Sequence, residues 1–206
     1  MSQNTSHAVM AHRKEASDSL DFFPTPPWAT RALCEFLKER HEVSDQLVWE
    51  PACGGGHMAR TLAEYFHSVA AGDVHDYGQA VIEDFLWPSE KRADWIITNP
   101  PFRLGREFVL TALERARVGV AMLVRLQFLE GGERYHDLFA KAGREPAYIL
   151  PFAERVPMVK GRVDALASTA TAYCWIVWHV GEGGETNMHW IPPGTRKRLE
   201  RDGDYA

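Results

Sequence analysis

The chain has no apolar run near the roughly 18–20 residues that a bilayer-spanning helix needs. Its first twenty residues are polar and lack the apolar stretch of a signal peptide. Both absences predict a cytoplasmic protein. Cysteine is scarce as well. Cys34, Cys53 and Cys174 are odd in number and far apart, with no Cys-x-x-Cys pair, which fits reduced thiols rather than a disulfide framework. An excess of positive charge is also missing: 23 Lys and Arg stand against 28 Asp and Glu, for a net charge of −5. A protein that coats nucleic acid is usually basic overall, so any such contact must come from a local patch. The nine histidines do not fall at metal-ligand spacings. The densest cluster, Asp73-Val74-His75-Asp76, reads as a loop, and no metal is expected.

What remains is ordinary globular composition, 45% hydrophobic and 25% charged over 206 residues, enough for one domain with one sizeable core. Residues 1–19 lack periodicity and predict a flexible tail. Residues 20–191 predict the folded domain, and 192–206 a polar, basic C-terminal tail. Within the domain, Thr25-Pro26-Pro27 reads as a helix start with Thr25 as N-cap. Strands are expected at 46–50, 68–73, 80–83, 94–98, 118–124, 147–150 and 171–180, with helical spacing between most of them. The segment 118–124 is apolar without alternation, as in a strand buried on both faces. Strand–helix alternation predicts an α/β fold with a mainly parallel sheet and helices on both faces. Ligands would then bind beyond the carboxyl ends of the strands.

Two motifs stand at such ends. The first is Glu50-Pro51-Ala52-Cys53-Gly54-Gly55-Gly56-His57-Met58-Ala59. Its glycines let the backbone approach a ligand. Gly54, Gly56 and Ala59 also match the spacing of dinucleotide-binding folds, so a nicotinamide-dependent oxidoreductase is a competing reading. Asp73 fits a ribose-binding carboxylate in either case. Glu50 favours a different ligand, because a carboxylate there would attract an ammonium and repel a pyrophosphate. The second motif is Asn99-Pro100-Pro101-Phe102, where tandem prolines stop the fourth strand and fix the backbone.

These motifs resemble those of class I S-adenosylmethionine (SAM)-dependent amino-methyltransferases of the DNA-adenine type, small phage and prophage members above all. The resemblance covers roughly residues 22–178. It also rests on Phe23-Pro24-Thr25-Pro26-Pro27-Trp28, similar to the family's N-terminal cofactor segment, and on Asp84-Phe85-Leu86. It implies a Rossmann-like sheet of seven strands with the last antiparallel, and SAM as the cofactor. It further implies that Glu50 binds the methionine amino end, with Thr25 and Trp28 flanking it, in a loop that includes Pro51, Ala52, Gly54 and Gly56. Asp73 and Val74 would hold the ribose, and Asp84 with Phe85 the cofactor adenine. Asn99, Pro100, Pro101 and Phe102 would form the catalytic tetrad, with Asn99 also among the cofactor-binding residues. An aromatic exocyclic amine is a poor nucleophile because its lone pair is delocalised. The Asn99 oxygen and the Pro100 carbonyl can each accept one N–H from it and favour a localised lone pair as charge develops. Phe102 would stack on the target ring, which a duplex must first flip out.

Substrate contacts are expected from Arg125 and Phe128 after the fifth strand, and from Arg155, Lys160 and Arg162 in a non-periodic basic stretch. A second basic cluster at Arg196, Lys197, Arg198 and Arg201 could also meet phosphates. Only about 28 residues follow Trp178, fewer than a target-recognition domain needs. DNA adenine is the favoured acceptor. RNA adenine and a protein glutamine amide remain alternatives, as does a specificity partner or a homodimer. A non-catalytic binding module is a further alternative.

Overall fold

The expected alternation is present across residues 21–205, the range described by the computed structural model of the chain; the tail expected over 1–19 lies outside the described residues. The strands are β1 (Leu47–Glu50), β2 (Ser68–Asp73), β3 (Val81–Ile82), β4 (Ala93–Thr98), β5 (Ala116–Arg125), β6 (Tyr148–Pro151), β7 (Tyr173–His179) and β8 (Asn187–Met188). The helices are α1 (Pro27–Lys38), α2 (His57–Leu62), α3 (Gly105–Arg115), α4 (Gly132–Arg134), which runs into a π turn at Tyr135–Phe139, and α5 (Thr195–Leu199).

The strands form one sheet in the order β3-β2-β1-β4-β5-β7-β6-β8. β3, β2, β1, β4 and β5 are parallel to one another, while β7 runs antiparallel between β5 and β6. Among the described residues there are thus eight strands rather than seven, and the antiparallel one is the next to last in the chain. The added β8 is two residues paired parallel to β6. Two residues carry no readable period, so sequence pattern could not find it.

Both faces of the sheet are covered. In β5, Ala121 and Leu123 join the core beneath α1 and α2, whereas Val120, Met122 and Val124 join the core beneath α3. This explains the unbroken apolar run there. Trp175 and Trp178 of β7 likewise enter opposite cores, and each satisfies its indole N–H on a carbonyl, Ala29 at 3.0 Å and Arg144 at 3.0 Å.

Two local expectations need correction. Pro26, not Thr25, occupies the N-cap of α1 (φ −58°, ψ 134°), and no side chain caps the helix. Proline in the first turn already removes one amide that a cap would serve. The segment expected as a polar tail is docked instead. Arg31 of α1, 3% exposed, bonds the Leu199 carbonyl and the carboxylates of Glu64 and Asp204. Arg201 pairs with Glu64 and Arg196 with Glu200, so part of the expected phosphate-binding cluster is engaged within the chain.

The chain leaves β1 toward β2 on one side and leaves β4 toward β5 on the other. At such a switch point the two loops diverge and open a crevice at the carboxyl ends. Both sequence motifs fall there.

Candidate active site

The loops after β1, β2, β3 and β4, with residues 21–25, enclose a cavity of about 410 Å³. That volume lies within the roughly 300–1,000 Å³ typical of small-molecule sites. Glu50 ends β1 on its wall, 2% exposed, and its Oε2 has no hydrogen-bond partner among the described residues. Burial disfavours its charge and outweighs an N–H donated by Ala59 of α2, and Asp73 adds repulsion, so its pKa is pushed up to about 8. Thr25 Oγ1 and Asn99 Oδ1, also buried and unpartnered, stand on the same wall. Buried polar atoms nearly always have partners. Three without one around a single cavity are groups that a polar, cation-bearing ligand would satisfy.

Asp73 ends β2 with its carboxylate accepting the Gly54 N–H at 2.8 Å and the His75 N–H at 2.9 Å, which ties the glycine loop to the neighbouring strand. Gly54 (φ +49°) and Gly56 (φ +75°) take left-handed conformations that side chains resist. A Cβ at Gly54 would stand 2.4 Å from the Phe22 ring. Gly54→Ala should therefore destabilise the fold by about 1–2 kcal/mol through backbone strain alone, measurable by urea unfolding, and should displace Phe22 from the loop.

At the other end of the cavity, Asp84 accepts the Leu86 N–H at 2.9 Å, and Phe85 packs edge-on against Trp49 with centroids 5.1 Å apart. The turn is held by Arg115, whose buried guanidinium donates to the Phe85 carbonyl at 2.6 Å and the Trp87 carbonyl at 2.7 Å. Arg115→Leu would strand both carbonyls. The expected loss is on the order of 2–4 kcal/mol in urea unfolding, with the Asp84–Trp87 turn loosened.

Residues 21–23 bind the acceptor motif directly. The Asn99 amide nitrogen donates to the Phe23 carbonyl at 2.9 Å, which fixes the amide plane and leaves Oδ1 unengaged. The Asp21 carboxylate accepts the Phe102 N–H at 2.9 Å, and Phe23 leans on the Phe102 ring with centroids 5.2 Å apart. On the far side of the tetrad, Pro100, Phe102, Arg125, Phe128 and Arg134 line a second cavity of about 180 Å³.

No protein-family model matches the chain, and no curated protein matches it by sequence. Solved structures do match its shape. A proposed RNA methyltransferase from Pyrococcus horikoshii superposes with a TM-score of 0.57 at 16% identity, over 74% of this chain and 83% of that one. The methyltransferase subunit of a type I restriction-modification system from Streptococcus thermophilus gives 0.61 at 11% identity, over 89% of this chain and 49% of that one. Magnesium protoporphyrin IX methyltransferase from Synechocystis, solved with bound SAM, gives 0.52 at 10% identity, over 75% and 79%. The chain has the Rossmann-like methyltransferase fold. It spans about half the length of the restriction-modification subunit.

Within this methyltransferase fold most of the singled-out residues gather in two places. Thr25, Glu50, Pro51, Ala52, Gly54, Asp73, Val74, Asp84, Phe85, Asn99 and Pro101 line the larger cavity. Pro100, Phe102, Arg125 and Phe128 line the smaller one. Others do not gather. Trp28 is fully buried against Phe152 and lies outside the cavity wall, because it faces the core from the first turn of α1. Gly56 shapes the turn as the residue before α2 without lining either cavity. Arg155 donates to the Ala170 carbonyl and Arg162 pairs with Asp164, and neither these nor Lys160 reaches either wall. Sequence reasoning missed Asp21, Tyr77, Arg115 and Arg134. Tyr77 lines the cavity and stacks near Phe22 at 4.7 Å; its place in the loop after β2 was the available signal. Nothing in the local sequence marks Arg115, a basic residue that ends α3.

Proposed function

We propose that the chain is an enzyme that transfers a methyl group from SAM to an exocyclic amino nitrogen, with adenine in DNA as the favoured acceptor. One observation carries the reading: the Asn99 oxygen has no partner among the described residues and stands on the wall of the larger cavity, next in sequence to Pro100 on the smaller one, while its amide nitrogen is engaged by Phe23. The larger cavity suits the cofactor. The unpartnered Oε2 of Glu50 matches the methionine ammonium, Asp73 the ribose diol, and Asp84 with Phe85 the adenine end. When bound, SAM supplies an electrophilic methyl on a positively charged sulfur.

The protein's own contribution is acceptor alignment. Asn99 Oδ1 and the Pro100 carbonyl accept the two N–H bonds of a flat amine, and the tandem prolines keep the spacing rigid. Their pull strengthens as positive charge grows on the nitrogen, so it lowers the barrier rather than merely tightening binding. The proton lost from the nitrogen passes to solvent. A nicotinamide dinucleotide fits less well. Glu50 already draws an N–H from the first turn of α2, where a pyrophosphate would need free donors and no carboxylate.

Nucleosides from cells expressing the wild type and Asn99→Ala would be compared by mass spectrometry. N6-methyladenine in DNA should appear only with the wild type. Its absence from DNA, together with a methylated base in RNA or methylglutamine in protein, would move the acceptor. No methylated product anywhere, together with no SAM binding by calorimetry, would end the proposal.

A further inference from the structure

The seat expected for a flat acceptor on Phe102 is covered. The Arg125 guanidinium carbon lies 3.8 Å from the centre of that ring, a close stack, while Phe23 leans on Phe102 from the larger cavity. Arg125 is exposed at the end of β5, where it pairs across the sheet with Tyr173 of β7. Across the same cavity, Arg134 is stacked 5.0 Å from the centre of the Phe128 ring and donates to the Phe128 and Glu130 carbonyls. Neither arginine has a carboxylate partner among the described residues. The cavity between them, about 180 Å³, has room for one flat ring system and little more.

Guanidinium groups stack on aromatic faces and recognise phosphate in planar, bidentate fashion, so an exposed one can exchange the first role for the second. We propose that Arg125 is a substrate-displaced cover on Phe102. The incoming base takes its place on the ring, and the released guanidinium, with Arg134 opposite, binds the phosphates that flank that base. The inference rests on the methyltransferase reading and deepens it. It assigns the acceptor to a nucleotide within a strand, rather than to a protein amide, which brings neither a ring to stack nor an anion to pair. The chemistry is shared by DNA and RNA strands.

The test uses wild type, Arg125→Ala, Arg125→Lys and Arg134→Ala, first checked for unchanged SAM binding by calorimetry. Affinity for short labelled single-stranded DNA and RNA is measured by fluorescence polarisation over a range of salt. Methyl transfer is measured to the same strands and to an unphosphorylated adenine nucleoside. Arg125→Ala should weaken strand binding by about fivefold or more and lower the salt slope by about one, and Arg134→Ala should act in the same direction. Turnover of the free nucleoside by Arg125→Ala should rise, because the cover is gone and no phosphate contact is lost, and a nucleoside turnover that does not rise would overturn the cover. Arg125→Lys should restore the salt slope while keeping the raised nucleoside turnover, since it returns charge without a flat stacking group. Equal losses on strand and nucleoside, or an unchanged salt slope, would overturn the cover and leave the methyltransferase reading intact. A wild type that binds SAM yet binds and methylates no strand would overturn the nucleic-acid assignment itself.

Discussion

Replacing Asn99 by alanine is expected to lower methyl transfer by about 10²-fold or more, the usual effect of removing one preorganised hydrogen-bonding group from a transition state. SAM affinity, read by calorimetry, should fall far less than turnover, because Glu50 and Asp73 stand elsewhere on the wall. The defect therefore belongs in kcat. Asn99→Asp separates two explanations. A carboxylate is a good acceptor, so acceptor strength alone predicts partial activity. The Asn99 side chain, however, also donates to the Phe23 carbonyl at 2.9 Å, and a carboxylate would face that oxygen with repulsion. The aspartate variant should thus fall close to the alanine variant. Near-wild-type turnover in either variant would remove Asn99 from the chemistry.

Glu50→Gln should give the second large effect, in binding and in stability with opposite signs. Glutamine keeps the shape and loses the charge, so SAM affinity should fall by about 10²-fold, as for a lost charge-assisted hydrogen bond. The wild-type affinity should also depend on pH. Burial and Asp73 hold the Glu50 pKa up, to about 8 against an ordinary 4.5, so near neutrality much of the cofactor-free protein carries a proton there. Binding an ammonium expels that proton. Affinity should rise with pH up to about 8 and level off, with no such rise in Glu50→Gln. Stability of the cofactor-free protein runs the other way. Below pH 4.5 both folded and unfolded chains hold the proton. Between 4.5 and 8 the unfolded chain ionises first and the folded one does not, so this group lowers stability as pH rises, by at most about 1.4 kcal/mol per unit. Above 8 the decline stops. Thermal unfolding without SAM should therefore find Glu50→Gln more stable than wild type at pH 8, with the gap closing toward pH 5. A wild type equally stable with or without this carboxylate at pH 8 would show that Glu50 is solvated rather than held unpartnered.

The competing dinucleotide reading shows how far the glycine spacing carries. Gly54, Gly56 and Ala59 satisfy that pattern, and nothing in the local sequence excludes it. The strand order narrows the fold: β7 enters antiparallel between β5 and β6, and solved methyltransferases share the shape. The proposed chemistry rests instead on what each loop presents, an unpartnered Oε2 on Glu50 and an unengaged oxygen on Asn99.

Local pattern determined the strands and helices that frame the crevice, because burial on one or both faces of the sheet imposes a period that any window of the chain displays. Glu50, Asp73 and Asn99 could be singled out from sequence for a related reason: the first two end strands, Asn99 follows one, and the carboxyl edge is where an α/β sheet opens. Tertiary structure alone decided which partners those ends acquired. Trp28 sits two residues from Pro26 in a motif-like segment, yet the rotation of α1 turned it into the core. Asp21 and Phe23 reach the tetrad across some 80 residues of chain, Arg115 reaches back to Phe85, and Arg125 covers Phe102. Contacts between residues so distant in sequence depend on how the layers stack, and stacking leaves no period to read.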